Sequence, residues 1–241
     1  MADELFRLRV AFHKDGRLAY LGHLEVINTI ERSIRRAGLP FSVGNGFAKR
    51  MRVQFSQALP VGAFSTGEYF DLTLTEELDT AEALARLKAA SPTALGPERC
   101  AYVPRKLAAL EAWLDRSDWQ IELRGEGFDA ARLEEGIACV KRAGKIDFMR
   151  GEKQRSIETE TTLVSWEAHD EPWGVSLGLK THSSNLGALR PAVLLDAAFA
   201  TEPLAGAMRA SQRVCRCGQW HEENGGLMEP FDLSFSWSLT A

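Results

Sequence analysis

Three groups of residues in this chain carry side chains whose type and spacing could do chemistry. The densest is basic. Arg7, Arg9 and His13 alternate along one stretch, Arg32, Arg35 and Arg36 follow on a second, and Lys49, Arg50 and Arg52 crowd a third. Guanidinium forks match phosphate oxygens bidentately, so a surface gathering these groups would hold an RNA backbone or another anion. Gly44-Asn45-Gly46-Phe47 directly precedes the third cluster. Its backbone N–H groups could form an anion nest, although Asn-Gly equally signals a plain tight turn. A Gly-x(4)-Gly-Lys-Ser/Thr sequence is absent, which leaves a nucleotide P-loop unsupported. The second group is a single residue, His23, which follows Gly22 and opens an apolar-periodic run. It reads either as a general base for RNA cleavage or as a helix-terminal cap, with no partner base visible. The third is Cys215-x-Cys217, with His221 four residues on. Alternation along a strand puts both thiols on one face. That is half a metal site or simply two small strand residues, and no second pair completes a four-ligand zinc site.

The elements that must position these groups follow from periodicity. Phe6, Leu8, Val10 and Phe12 alternate with Arg7, Arg9 and His13, which predicts a half-buried strand with the basic side chains on its open face. Leu24, Ile27, Ile30 and Ile34 predict a helix with Arg35 and Arg36 in its last turn, where positive charge suits the helix dipole. Gly38 supplies a C-cap and Pro40 a stop. Met51, Val53 and Phe55 predict a second strand that could set Arg52 and Gln54 beside the first, and Phe70, Leu72 and Leu74 a third. A helix capped by Thr80 runs to about Ala90, and a strand is expected near Cys100 to Val103.

After residues 105–117 the pattern restarts. Trp119, Ile121 and Leu123 read as a strand, Asp129 caps a helix carrying Leu133, Ile137 and Val140, and Ile146 to Met149 reads as a strand. Arg142-Ala143-Gly144 repeats Arg36-Ala37-Gly38 at the helix end. Residues 157–166 and 174–181 read as a hairpin, Leu189 to Phe199 as a helix, and Ser211 to Trp220 and Leu233 to Leu239 as closing strands. The expected fold is therefore α+β, with two ferredoxin-like, βαβ-containing sandwich units in tandem: residues 1–105, carrying the basic motif, and 117–241.

The 241 residues are 45% hydrophobic and 26% charged, an ordinary globular composition. No apolar run approaches the length of a membrane span and no signal-peptide core opens the chain, so a cytoplasmic location without membrane contact is expected. The net charge of −4 conceals an asymmetry, with +5 over residues 1–60 and −7 over residues 61–135. A basic segment inside an acidic chain points to a localised anion-binding surface, or else to a solvated face.

Lys14-Asp15-Gly16, Gly22-His23-Leu24-Glu25, Arg35 to Pro40, Gly46-Phe47 and Gly67 to Asp71 together resemble a radical SAM-associated protein family of unknown function. Its members stand alone or are fused C-terminal to a radical SAM domain. Gly22 stands where the family pattern has serine, and Ala48-Lys49 where it has Asn-Pro. The Cys-x(3)-Cys-x(2)-Cys motif of radical SAM chemistry is absent. The resemblance implies a non-catalytic accessory module with no cofactor of its own. Its expected partner is a radical SAM enzyme, cobalamin-dependent in some members. Its expected ligand is an RNA (tRNA or rRNA), held by Arg7, Arg9, Arg35, Arg36, Asn45, Phe47, Lys49, Arg50 and Arg52. Two alternatives stand beside it: a metal-independent endoribonuclease using His23, and a pure protein-interaction module.

Overall fold

The computed structural model describes residues 4–47, 49–184 and 187–232. The chain divides into two compact units, one running to Leu114 and resuming at Gly218, the other spanning Asp115–Cys217. The break lies within the expected 105–117 connection. The segment from Gly218 onward was expected in the second unit but belongs to the first. Its hydrogen bonds explain this, since Gln219 Nε2 donates to the Gly67 carbonyl at 2.6 Å and the Pro230 carbonyl accepts from Arg9. The expected closing strand at 233–239 lies outside the described residues.

The first unit contains β1 (Phe6–Lys14), α1 (His23–Arg36), β2 (Val53–Phe55), β3 (Phe64–Leu74), α2 (Thr80–Ala90), β4 (Pro97–Val103) and the short α3 (Leu110–Trp113). Its sheet runs β4-β1-β3, with β2 also pairing β3, and all these ladders are antiparallel. The register sets Leu8 opposite Leu72 and Val10 opposite Phe70, so apolar side chains line up across strands on the helix-covered face. Val26, Ile30 and Ile34 of α1 and Ala83 and Leu87 of α2 complete that core. Gly22 has no capping side chain, but its N–H donates to Glu25 Oε2 at 2.7 Å, which keeps half of a capping box. Asp79, rather than Thr80, caps α2, accepting from Glu82 N at 2.9 Å. Gly38 takes φ +62° after α1, the left-handed stop expected of it.

The second unit contains β5 (Arg116–Glu126), α4 (Ala130–Ala143), β6 (Lys145–Arg150), β7 (Lys153–Glu158), α5 (Thr159–Thr162), β8 (Leu163–Glu171), β9 (Gly174–Ser184), β10 (Gly187–Ala188), α6 (Pro191–Phe199) and the Met208–Cys217 part of β11 (Met208–Glu223). Its sheet order is β9-β5-β11, with β8 and β10 pairing β9; β6 and β7 form a separate hairpin. The hairpin expected at 157–166 and 174–181 is in fact β8 with β9, because residues 159–162 turn helically before β8 begins. Asp129 caps α4 as expected, accepting from Arg132 N at 2.8 Å, and Gly144 ends it at φ +78°. The remainder of β11 and β12 (Gly226–Met228), an antiparallel pair, belong to the first unit. The fold is thus α+β, with six α-helices among the described residues.

Candidate functional site

Arg7 and Arg9 do not form a binding face. Both are buried, at 8% and 0% exposure, as is Asp71 at 2%. Asp71 Oδ1 accepts from Arg9 Nε at 2.8 Å, while Oδ2 accepts from Arg7 Nε at 2.8 Å and Arg9 Nη2 at 3.0 Å. The remaining guanidinium N–H groups donate to carbonyls of Leu107, Ala108 and Pro230 and to Gln54 Oε1. Arg9 also lies over the Trp113 ring at 4.7 Å. Alternation correctly places these arginines on the face opposite the helices, and Gln54 beside Arg7. What it misses is that residues 104–114 and 218–232 cover that face. His13 is tied elsewhere, in exposed hydrogen bonds to Glu98 at 2.9 Å and the Thr93 carbonyl at 2.7 Å. Tyr69 shares the covered face, packed on Phe231. Burial, reinforced by the Glu68 and Glu229 carboxylates, pushes its phenol up to about 12 despite Arg9 and Arg99.

The other predicted cations, apart from the half-buried Arg52, are exposed. Val43 and Met51 form an isolated bridge, and Gly44 N donates to the Arg50 carbonyl at 2.8 Å, which closes the intervening residues into a small hairpin-like loop. Its tip carries Asn45, Phe47, Lys49 and Arg50, all exposed, and the Phe47 ring is fully so. Lys49 adopts φ +40°, an uncommon conformation for a residue with a Cβ. Arg52 is half-buried at the loop's return, its backbone held by Ser42 and Thr73. Arg35 lies 6.0 Å over the Phe41 ring, two residues before the loop opens, and pairs with Glu31 at 3.3 Å. Arg36 lines a separate, open groove of about 480 Å³ with Arg86. The structure therefore associates Arg35 with the root of the loop carrying Asn45, Phe47, Lys49 and Arg50, and assigns Arg7 and Arg9 to the interior.

His23 opens α1, half-buried, with its ring edge-on to Phe55 at 6.1 Å. It lines a cavity of about 10 Å³, room for one water, together with Lys14, Ser56 and Glu68. Lys14 and Glu68 are both buried, Lys14 donating to the carbonyls of Ala19 and Leu21. Sequence reasoning passed over Lys14, Glu68 and Asp71 as site residues. Their signal was present, because all three stand in the motifs that carry the family resemblance.

A family model describing an "uncharacterized protein conserved in bacteria" (DUF2344) matches residues 7–191, most of the chain. The chain belongs to that family. The matched span contains the Arg7–Asp71 cluster, the basic loop and the His23 cavity. No curated protein matches in sequence. Among solved structures, a chain of a Cbf5-Nop10-Gar1 complex is similar over 96% of this chain and 56% of its own length, with 11% identity and a TM-score of 0.42. An unknown protein from Galdieria sulphuraria is similar over 88% of this chain and 99% of its own, with 10% identity and a TM-score of 0.26.

Proposed function

We propose that this chain is a non-catalytic RNA-binding module that serves a radical SAM enzyme, holding a tRNA or rRNA segment through the Val43–Met51 loop. The observation that carries the binding reading is Phe47. A phenyl ring left fully in water forgoes the roughly 1.5–3 kcal/mol that its burial would contribute, and it stands between the Gly44-Asn45-Gly46 stretch and the cations Lys49 and Arg50. An aromatic platform flanked by phosphate-binding cations is how proteins hold single-stranded nucleic acid without base-specific hydrogen bonds. Arg35, held over Phe41, extends the positive charge along α1. The radical SAM partner rests on the sequence resemblance alone. We also read each unit as ferredoxin-like. The supporting feature is that β4-β1-β3-β2 and β11-β5-β9-β8 repeat one strand order, with the β6–β7 hairpin as an insertion in the second. The size of the His23 cavity, room for one water, does not favour an endoribonuclease built on that residue.

The test is anisotropy of a labelled single-stranded RNA. Wild type binds with a salt slope of about −2 to −3, for three or four phosphate contacts. The Lys49→Glu/Arg50→Glu double variant loses binding while its unfolding midpoint stays put. Phe47→Ala weakens binding about 5- to 160-fold, the loss of one stacked base. Unchanged affinity in the double variant overturns the proposal.

A further inference from the structure

The β6–β7 hairpin of the second unit has one face whose charge the unit's own packing does not neutralise. Its register sets Ile146 opposite Ile157, Phe148 opposite Arg155 and Arg150 opposite Lys153. Residues directly opposite in an antiparallel pair share a face, and alternate residues along each strand return to it. Ile146 and Ile157 are both buried, at 6% exposure, so this face turns toward the body of the unit, where α6 packs against β6. Beyond that apolar root the same face carries the half-buried Phe148 ring and three exposed cations, Arg150, Lys153 and Arg155. Arg190, also exposed, stands immediately before α6. Partial desolvation, and then the charge of Arg150, lower the Arg190 guanidinium below its ordinary range, which marks the two arginines as neighbours. None of the four cations has an ion pair or a side-chain hydrogen bond among the described residues. The opposite face of the hairpin is different. There Lys145 pairs with Asp147 at 3.6 Å, and Glu158 stands across from Lys145.

We propose that this face is a second arm for single-stranded RNA, in which Arg150, Lys153, Arg155 and Arg190 hold successive backbone phosphates. It takes from the reading above only that the ligand is RNA, and none of its residues belongs to the Val43–Met51 loop. Like charges gathered without a counter-charge repel one another, and a polyanion relieves that repulsion. The layout selects an extended polyanion over a compact one. Arg155 lies two residues along the ribbon from the Arg150–Lys153 pair, about 6.6 Å at the usual rise per residue. The charges therefore form a row rather than a cage around a single anion. Guanidinium forks match phosphate oxygens bidentately. Phe148, opposite Arg155, sets an aromatic surface within the row, and stacking beside a charged groove is how single strands are held without base-specific hydrogen bonds.

The experiment uses the full chain and follows the anisotropy of a labelled single-stranded RNA longer than the loop's three or four phosphates, over a range of salt. Arg150→Gln/Lys153→Gln/Arg155→Gln removes three phosphate contacts, so its salt slope is shallower than that of wild type by about 2. Lys145→Gln, on the opposite face, leaves slope and affinity unchanged. Circular dichroism and the unfolding midpoint confirm that both variants are folded. A triple-variant slope equal to that of wild type, with Lys49→Glu/Arg50→Glu still defective, overturns this inference and leaves the loop reading standing. A shallower slope in the triple variant, with normal binding in Lys49→Glu/Arg50→Glu, overturns the loop reading and leaves the arm standing. Polyglutamate that binds wild type as tightly as the RNA, and loses that affinity in the triple variant, assigns the arm to an acidic protein surface and overturns the proposal. An equal loss in Lys145→Gln reduces the effect to bulk charge and overturns it as well.

Discussion

Asp71→Asn is the sharpest test of how the first unit is held together. The carboxylate is the shared counter-charge of two guanidiniums that are 92% or more removed from solvent, accepting three hydrogen bonds of 2.8–3.0 Å. Asparagine keeps the shape. It removes the charge, and it turns one acceptor into an N–H₂ donor aimed at an arginine. Breaking a buried pair by removing one partner costs about 3–5 kcal/mol, because the remaining charge stays buried. Here two cations are orphaned, so the upper half of that range is expected, against a typical total stability of about 5–15 kcal/mol. With a urea slope of roughly 2 kcal/mol per molar, the midpoint drops by about 2 M. Equilibrium urea unfolding, with amide exchange along β1 and β3 to localise the loss, reads this directly. Lys49→Glu/Arg50→Glu is the contrast, since exposed substitutions stay within about 0.5 kcal/mol. A midpoint for Asp71→Asn within about 0.3 M of wild type would refute the reasoning: Arg7 and Arg9 would then be solvated and available to a ligand after all.

Two further expectations probe other points. Gly125→Ala puts a Cβ 2.0 Å from the Met208 carbonyl oxygen, a backbone atom that cannot swing away; it should destabilise the second unit by roughly 3 kcal/mol, at the upper end for overpacking, seen as a lowered thermal midpoint. Tyr69 titrates at about 12 when folded and near 10 when unfolded, so the unfolded state loses its proton first and stability falls as pH rises between those values. Ultraviolet titration should show a late phenolate step that disappears in Tyr69→Phe, and a step near 10 for all three tyrosines would contradict the burial of Tyr69.

Much of the secondary structure was legible because it depends on local periodicity. The β1 alternation, Ile30 and Ile34 of the α1 stripe, the Asp129 cap and the left-handed Gly38 and Gly144 stops each involve residues within a few positions of one another, whereas Leu24, expected at the head of that stripe, is exposed and Val26 takes the buried place. The fate of Arg7 and Arg9 was not legible, because it depends on partners 62 to 221 residues away: Asp71, the carbonyls of Leu107 and Ala108, and that of Pro230. An alternating strand with arginines on one face reads as half-exposed until the covering segment is known, and that segment here is partly the end of the chain. The Lys49–Arg50 loop was legible as basic and turn-forming, yet nothing in its spacing says that the Phe47 ring lacks an apolar pocket.

The two units share a strand order but use their sheets differently on the face turned away from the helices. In the first unit that face is sealed by Arg7, Arg9 and Asp71 beneath Leu110, Trp113 and Leu114. In the second unit the strands present Asp118, Lys180, Glu167 and Cys217 to a concavity of about 460 Å³. A sheet face covered by its own chain has its apolar and ionic groups committed to stability, so the proposed binding falls to groups held off the sheet, such as Phe47 and Lys49.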